Sequence, residues 1–293
     1  MNFFIMTLID MEIQMWSRDS NLISSQEYVG NQLVAREISS HGYESIINEY
    51  VYIDTEQVKN TIKLIPDIWD LIKGVGIDLG GGVGCISSTL AKKDQVEKIY
   101  CVELVEEAVN LCHPIVKDTI LGSKSNKVQS VIGDFDQLEL PDHSIDFAIS
   151  WDSMHHSRDP VKTFEECKRV LKPDGVFIIV DRAHNNSTPS SEIERMYNIV
   201  YDEEFLIKNH RPIDLVLTRR ENGEHEYRYS EWYDFFEKSG FQLLSNLIIK
   251  TLTDENQKLK NDANIPEIFV DYALGAFGNR KIAFALKPNK INK

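Results

Sequence analysis

Between Gly74 and Asp181, short runs rich in β-branched residues alternate with amphipathic segments of helix length. A strand, a helix and a second strand in succession form a βαβ unit, and such units place consecutive strands parallel in one sheet. This alternation restricts the chain to an α/β fold. We predict strands at Gly76–Leu79, Lys98–Glu103, Lys127–Ile132, Ile145–Ser150 and Val176–Asp181, with helices at Gly84–Lys93, Glu106–Ile120 and Pro160–Leu171.

The residues before this alternation are predicted to be helical. In residues 1–73 polar and apolar side chains mix at helical spacing, most clearly in Asp54–Lys73, where Val58, Ile62 and Ile68 share an apolar face. A chain of 293 residues has room for one elaborated domain or two modest ones. We interpret residues 1–73 as a helical N-terminal cap on one domain formed by residues 74–293.

A long insertion follows the fifth predicted strand. Residues 182–230, about fifty in number, stand where a short connection is expected. We predict a helical stretch at Ser191–Lys208 and a hairpin of Leu215–Arg220 and His225–Tyr229 around Asn222-Gly223. We interpret this insertion as a lid over a substrate. The alternative is that it forms a contact between subunits, in which case the protein could be a homodimer. A helix at Glu231–Ser239 and strands at Phe241–Lys250 and Arg280–Leu286 complete the prediction.

A glycine-rich loop joins the first predicted strand to the next helix, with the sequence Gly76-Ile77-Asp78-Leu79-Gly80-Gly81-Gly82-Val83-Gly84. Glycines let a backbone turn tightly and approach a ligand closely, at the sheet edge where α/β folds bind ligands. A phosphate-binding P-loop needs Gly-Lys-Ser/Thr, whereas Cys85 and Ile86 follow Gly84. A dinucleotide fingerprint begun at Gly80 would place its third glycine at Cys85. Both of these ligand classes fit poorly.

Further motifs follow in order along the predicted sheet. Glu103 ends the second strand, Gly133-Asp134-Phe135 follows the third, and Trp151-Asp152-Ser153-Met154-His155-His156 ends the fourth. With these motifs and the turn at Leu171–Gly175, residues 74–287 resemble the class I S-adenosylmethionine-dependent methyltransferase family. The resemblance implies a Rossmann-like sheet of seven mostly parallel strands, the last antiparallel, with helices on both faces. It also implies cofactor binding by Asp78, Gly80, Gly81, Gly82, Gly84, Glu103, Leu104, Gly133, Asp134, Phe135 and Trp151.

The chemistry of three of these residues agrees with that cofactor. S-adenosylmethionine, which leaves as S-adenosylhomocysteine, carries a sulfonium and an ammonium but no phosphate, so the carboxylates of Asp78, Glu103 and Asp134 suit it. The family places an acid like Glu103 on both ribose hydroxyls, and one carboxylate can accept two such hydrogen bonds. It places an acid like Asp134 against the adenine amine. Taken singly, Glu103 and Asp134 could equally be a solvated strand end and a turn residue.

Catalysis of methyl transfer needs little from side chains. The reaction is an in-line displacement, so the main task of the enzyme is to hold nucleophile, methyl group and sulfur collinear. A general base is needed only for a hydroxyl or a protonated amine. His155 and His156 are the candidates, because they follow the fourth predicted strand and histidine ordinarily titrates near neutral pH. The alternative is that the pair shapes the loop. Asp152, Asp181 and His184 lack distinctive ligand spacing, so no metal site is predicted.

Charge and cysteine content restrict the partners. The 32 basic and 46 acidic side chains give a net charge of -14, which disfavours nucleic acid and anionic membrane surfaces as partners. The four cysteines form no CxxC pair, so we expect reduced thiols in a cytoplasmic protein. The predicted function is methyl transfer to an oxygen or nitrogen of a small molecule. The alternatives are a peptide, protein or glycan acceptor, and a cofactor-binding scaffold without catalysis; a nucleotide-dependent oxidoreductase is a third class.

Overall fold

The architecture comes from a computed structural model that describes residues 13–49, 62, 68–209, 211–249, 257–258 and 281–289. Its centre is one sheet, to which the described residues contribute nine strands. The strands are β1 (Gln14–Met15), β2 (Gly74–Leu79), β3 (Val96–Glu103), β4 (Val128–Ile132), β5 (Ile145–Trp151), β6 (Leu171–Arg182), β7 (Phe241–Ile249), β8 (Gln257–Lys258) and β9 (Lys281–Pro288).

The strand order is β1-β4-β3-β2-β5-β6-β9-β7-β8. Strands β2 to β6 pair in parallel with one another. Strand β9 lies between β6 and β7 and is antiparallel to both. The predicted Rossmann-like sheet, with its last strand antiparallel, is therefore confirmed. The two-residue strands β1 and β8 extend its edges beyond the seven predicted strands.

The central strands form because their side chains are apolar on both sides. Phe147 and Ala148 of β5 point to opposite faces and are both fully buried, as is usual for parallel strands covered by helices on both faces. Strand β2 begins slightly before its predicted start. Strand β6 begins at Leu171, but its pairing with β5 passes from Leu171 directly to Val176, so the predicted turn between them leaves the ladder.

Helices cover both faces of the sheet. On one face Phe164 and Trp232 pack against Phe284, and on the other Leu90 packs against Ile178. None of the described helices is both long enough and apolar enough to cross a membrane. The helices are α1 (Ser20–Ile23), α2 (Gln26–Ser40), α3 (Tyr43–Glu49), α4 (Ile68–Leu71), α5 (Cys85–Ala91), α6 (His113–Leu121), α7 (Pro160–Val170), α8 (Ser190–Tyr197), α9 (Glu203–Lys208) and α10 (Tyr229–Lys238).

A π-helical turn at Ala108–Cys112 leads directly into α6. The single helix predicted for Glu106–Ile120 spans both elements. Such turns are rare and are frequent at functional sites. This one ends immediately before His113, whose imidazole is buried against the glycine loop.

The N-terminal helices pack over the start of α5 and over the π-helical turn. Tyr28, Ala35 and Ile38 form a buried cluster with Cys85 and Ala108. Most of the predicted helix Asp54–Lys73 lies outside the described residues, and α4 falls within it. Strand β1 differs from the predicted helical cap, because its backbone pairs with the open edge of β4.

The insertion of residues 182–230 differs in detail from its prediction. The stretch Ser191–Lys208 forms two helices, α8 and α9, because Val200 between them bridges to Thr218. The chain turns at Gly223 with a φ of 73°, but no hairpin forms in the described part of the insertion. Arg228 pairs instead with His184, which follows β6, and this distant partner replaces the local one.

Candidate active site

A cavity of about 400 Å³ opens at the carboxyl ends of the parallel strands. The glycine loop after β2, the ends of β3 and β5 and the turn after β4 form its floor, and α1, α2 and Asn209 form the opposite wall. The predicted residues that line it are Gly80, Gly81, Gly82, Glu103, Leu104, Asp134, Phe135, Trp151 and His156. Asp78, Gly84, Gly133 and His155 lie behind this lining.

The glycine loop lies close to the turn after β5. Gly80 has a φ of 72°, and a Cβ there would lie 2.5 Å from the Ser153 Cβ, so a larger side chain is excluded. At Gly81 a Cβ would lie 2.3 Å from the Cys101 sulfur. The loop therefore forms a cradle of bare backbone on the floor of the cavity, as close binding of a ligand requires.

Glu103 is held by two backbone amides at the end of β3. Its Oε2 accepts a hydrogen bond from the Gly82 N–H, and its Oε1 accepts one from the Val105 N–H, both at 2.8 Å. Burial raises the pKa of this carboxyl group above its usual value, although the two amides oppose that effect. Each oxygen keeps a second lone pair, so the carboxylate can still accept hydrogen bonds from a diol in the cavity.

Asp134 and Phe135 line the cavity just after β4. The Asp134 Oδ1 accepts a hydrogen bond from the Asp136 N–H at 2.9 Å, which fixes the carboxylate in a tight turn. The Gly133 N–H donates to the Glu103 carbonyl at 3.0 Å, so the turn is tied to the end of β3. The structure thus brings the acids at the ends of β3 and β4 to one cavity.

Asp78 supports the loop from below and does not line the cavity. Its Oδ2 accepts a hydrogen bond from the Ser87 hydroxyl of α5 at 2.7 Å. Burial raises the pKa of Asp78 to about 7, although the Ser87 hydroxyl lowers it. Its position indicates a role in joining β2 to α5.

The two neighbouring histidines occupy different environments. His155 is only 1% exposed, and its Nδ1 lies 2.7 Å from the Asp181 carboxylate. The Arg182 guanidinium contacts its Nε2. Both ring nitrogens of His155 are thus engaged by the protein, behind the cavity wall.

His156 faces the cavity and pairs with the cap. Its Nδ1 lies 2.8 Å from the Glu27 Oε1, which belongs to α2. Burial alone would lower the pKa of His156, but the Glu27 carboxylate, helped by Glu224, raises it to about 9. His156 is therefore cationic at neutral pH and suited to donate a hydrogen bond.

Several lining residues were missed by the sequence reasoning. Asp152, which the sequence already places at a strand end, is not one of them: it lines the cavity with a φ of 55°, and its carboxylate lies 3.6 Å from Arg182. The start of α2 has a readable signal, because Ser25 caps it by accepting from the Tyr28 N–H at 3.1 Å. That signal predicts a helix start but not its position over the cavity. The lining residues from the N-terminal helices and the loops that the sequence did not indicate include Leu22, Ser25, Glu27, Tyr28, Asn31, Ser153, Arg158 and Asn209.

Two groups of side chains among the described residues have the spacing of metal ligands. They are Asp152 with His155 and Asp181, and His155 with His156 and Glu224. Both depend on His155, whose nitrogens already contact Asp181 and Arg182. A guanidinium at this position opposes a second cation, so we assign no metal to either group.

Comparison with known families identifies the domain. Residues 77–179 match a family model described as a methyltransferase domain. The matched segment runs from β2 into β6 and contains the glycine loop, Glu103, Asp134 and the histidine pair. The predicted resemblance to the class I S-adenosylmethionine-dependent methyltransferases is therefore confirmed over this segment. The cofactor of these methyltransferases, S-adenosylmethionine, fits the site, because Glu103 and Asp134 face a cradle of bare glycine backbone.

The relatives of this methyltransferase domain carry different activities in their names. Over 126 residues the chain is 29% identical to sterol 24-C-methyltransferase erg6 of Aspergillus fumigatus. This alignment covers 42% of this chain and 28% of that protein. Over 118 residues it is 30% identical to the mitochondrial arginine-hydroxylase NDUFAF5 of Rattus norvegicus. This alignment covers 40% of this chain and 32% of that protein. The chain thus spans about a third of the length of these curated relatives.

The methyltransferase fold also appears in solved structures. A geranyl diphosphate methyltransferase in complex with S-adenosylmethionine superposes with a TM-score of 0.57, covering 84% of this chain and 89% of that one. The identity is 12%, so the likeness concerns the fold alone.

Proposed function

We propose that this protein transfers a methyl group from S-adenosylmethionine to an oxygen or nitrogen atom of a small molecule. The observation that carries the proposal is the single cavity in which Glu103, Asp134 and the glycine loop face His156 and Glu27. Cofactor and acceptor would then meet in one space that side chains enclose from both sides. Such enclosure holds the reacting atoms in line and excludes water.

We assign the cofactor contacts from these positions. Glu103, held by Gly82 and Val105, would accept the two ribose hydroxyls. Asp134 would face the adenine amine, with Phe135 and Leu104 against the ring. The loop Gly80–Gly82 and Trp151 would lie along the amino-acid part. When bound, the cofactor supplies a methyl group on a sulfonium, which the acceptor lone pair attacks as the carbon–sulfur bond breaks.

On the acceptor side of the cavity, the Glu27 carboxylate contacts the cationic ring of His156. Because His156 is cationic when paired with Glu27, it is a poor proton acceptor at neutral pH. We therefore assign the general base, where the acceptor needs one, to Glu27, with His156 orienting its carboxylate. His155 would position this loop through Asp181 rather than act on the acceptor.

A small acceptor is favoured by the walls of the cavity. Helix α2 and the insertion meet over it, because the Arg211 guanidinium donates to the Asn31 Oδ1 at 2.9 Å and packs against Gly30. A Cβ on Gly223 of the insertion would lie 1.9 Å from the Glu27 carboxylate, so these segments are in close contact too. A peptide or glycan would need this contact to open.

The state of the thiols supports a proposal for the location of the protein. All four cysteines are free and buried. Protein thiols persist in this state in reducing compartments, so we propose that the protein acts in the cytoplasm.

Turnover with methyl-labelled cofactor tests the proposed activity. The purified protein is incubated with S-adenosylmethionine and separate pools of small amines, phenols and alcohols, carboxylates, peptides and oligosaccharides. We expect label to enter a small amine or hydroxyl compound, and S-adenosylhomocysteine to form in equal amount. Label in peptides or oligosaccharides alone would overturn the small-molecule assignment. Binding of S-adenosylhomocysteine without turnover in any pool would instead support the scaffold alternative.

A further inference from the structure

A buried lysine lies beneath the glycine loop and has no role in the site described so far. Lys117 of α6 is only 3% exposed, and its Nζ donates a hydrogen bond to the Ser130 hydroxyl of β4 at 3.0 Å. The same hydroxyl lies 3.0 Å from the His113 Nδ1. The His113 Nε2 lies 2.9 Å from the Gly82 carbonyl. A chain of hydrogen bonds therefore runs from Lys117 to the glycine loop.

The direction of each hydrogen bond in this chain can be assigned. An ammonium only donates and a carbonyl only accepts. The Ser130 oxygen thus accepts from Lys117 and turns its own proton toward the His113 Nδ1, so the Nε2 must carry the hydrogen that meets the Gly82 carbonyl. Both ends of the chain require the same neutral tautomer of His113.

The charge states agree with this assignment. Burial lowers the pKa of His113 to about 4, so the ring is neutral at pH 7. Burial also lowers the pKa of Lys117 to about 8, which still leaves the ammonium protonated at neutral pH. The other ionisable groups against this cluster are Cys101, whose sulfur lies 3.9 Å from the His113 Nε2, and Asp78, whose charge acts on Cys101.

The chain of hydrogen bonds ends on the peptide groups that orient Glu103. The Gly82 carbonyl accepts from His113, while the Gly82 N–H donates to the Glu103 Oε2 at 2.8 Å. The ring of His113 also packs against the next bend of the loop, where a Cβ on Gly84 would lie 3.3 Å from its Cδ2. Gly82 is thus held from below by His113 and from the side by Glu103.

We propose that His113 is a positioning residue for the cofactor site, with its tautomer fixed by Lys117 through Ser130. Its Nε2–H holds the Gly82 carbonyl and so keeps the Gly82 amide directed at Glu103. His113 lies behind the cavity lining and acts on the cofactor only through the loop. The effect on ligand affinity rests on the proposed function, whereas the tautomer does not.

The tautomer is tested by nitrogen-15 NMR of the histidine rings in the full chain, with His113 assigned from the spectrum of H113Q. We expect a hydrogen on Nε2 and a bare Nδ1, unchanged from pH 7 down to about pH 5. In K117M, which keeps the apolar stem but removes the donor, we expect an Nδ1–H form to appear. An Nδ1–H tautomer or an imidazolium in the wild type at pH 7 would overturn the proposal.

The consequence for the loop is tested by calorimetry with S-adenosylhomocysteine. Loss of a buried hydrogen bond should weaken binding about tenfold in H113L and K117M. H113Q, whose amide can donate from the Nε2 position, should recover most of the affinity. V170A in α7, which removes core packing away from the loop, is the control and should bind like the wild type. In turnover, H113L and K117M should raise the KM for S-adenosylmethionine and leave kcat unchanged, whereas H113Q should keep a KM close to that of the wild type.

The outcomes separate this inference from the proposed function. If the wild type fails to bind S-adenosylhomocysteine while the tautomer result stands, the proposed function is wrong. If the wild type binds and K117M and H113L bind equally well, the positioning role is wrong. Should H113L not fold, K117M and H113Q decide the matter together with the NMR result.

Discussion

Glu27 and His156 show how a contact between distant residues changes what a side chain can do. A histidine after β5 would ordinarily exchange protons near neutral pH, but the carboxylate from α2 raises the pKa of His156 to about 9. The proton-accepting partner in the pair is then Glu27. The sequence contains both residues, yet nothing in the local pattern around Ser25 brings them together.

The pH dependence of turnover distinguishes the two bases. If Glu27 is the base, kcat/KM should stay level through neutral pH and fall above about pH 9, as His156 loses its proton. E27Q should lower kcat about 100-fold, with S-adenosylhomocysteine affinity unchanged, whereas H156Q, which can still hydrogen-bond Glu27, should lower it much less. A kcat/KM that rises toward pH 9, with H156Q the more damaging variant, would assign the base to His156.

The same pair makes stability depend on pH. Because the pKa of His156 is raised above its ordinary value of 6.5, the pair stabilises the fold fully below pH 6.5, and this contribution is lost as pH rises through about 9. The difference in unfolding free energy between wild type and H156Q should shrink over that interval. A difference that grows with pH would contradict the assigned charge of His156.

Residues at strand ends were the easiest to predict. Glu103 ends one strand and Asp134 follows the next, each strand is readable from its own composition, and parallel strands end at one edge of a sheet. Their contacts could not be predicted, because the hydrogen bond from the Gly82 N–H to the Glu103 carboxylate depends on how the glycine loop folds. Asp78 was expected among the cofactor residues but lies beneath the loop, because its carboxylate bonds to Ser87.

At the scale of elements, buried charges hold the insertion together and tie it to the end of β6. The Arg219 Nε donates to the Glu226 Oε1 at 2.9 Å, and the Arg182 Nη2 donates to the Glu224 Oε2 at 2.6 Å. Burial alone would raise the pKa of Glu224, but Arg182 and His155 lower it well below its usual range. These contacts make the insertion a fixed wall on the β6 side, so we expect opening of the cavity to occur at α1 and α2.

Removing one of these charges should show how strongly the insertion is held. Arg219 is 1% exposed, so R219M leaves Glu226 buried without this partner, and the unfolding free energy in urea should fall by about 3 kcal/mol. R195M, which breaks an exposed pair with Glu192, is the matched control and should change it by less than about 1 kcal/mol. Equal small effects of both variants would show that the insertion is held by other contacts.

Some helices and strands could be predicted from the sequence and others could not, for one physical reason. Strands such as β5 carry enough buried apolar residues to be recognised alone, and so do amphipathic helices such as α7. The hairpin around Gly223 was wrong because its two arms find partners elsewhere, at Val200 and His184. Pairings between distant segments leave no local pattern in the sequence.

For the whole molecule, we propose that one cavity holds the adenosyl cofactor through Glu103. The parallel sheet provides its floor, while α2 and the insertion close it from the other side. Length and net charge did not predict this closure, because it depends on contacts such as that of Arg211 with Asn31. In this role Glu103 faces the ribose, in addition to accepting the hydrogen bond from the Gly82 N–H.

Calorimetry with S-adenosylhomocysteine and its 2′-deoxy analogue, on wild type and E103A, tests this role of Glu103 most directly. The wild type should bind S-adenosylhomocysteine at least about tenfold more tightly than the analogue, because the analogue lacks a hydroxyl that Glu103 would accept. E103A should bind both weakly and without preference, since the acceptor of that hydroxyl is gone. A wild type that binds both ligands equally, or an E103A that keeps the preference, would contradict the account.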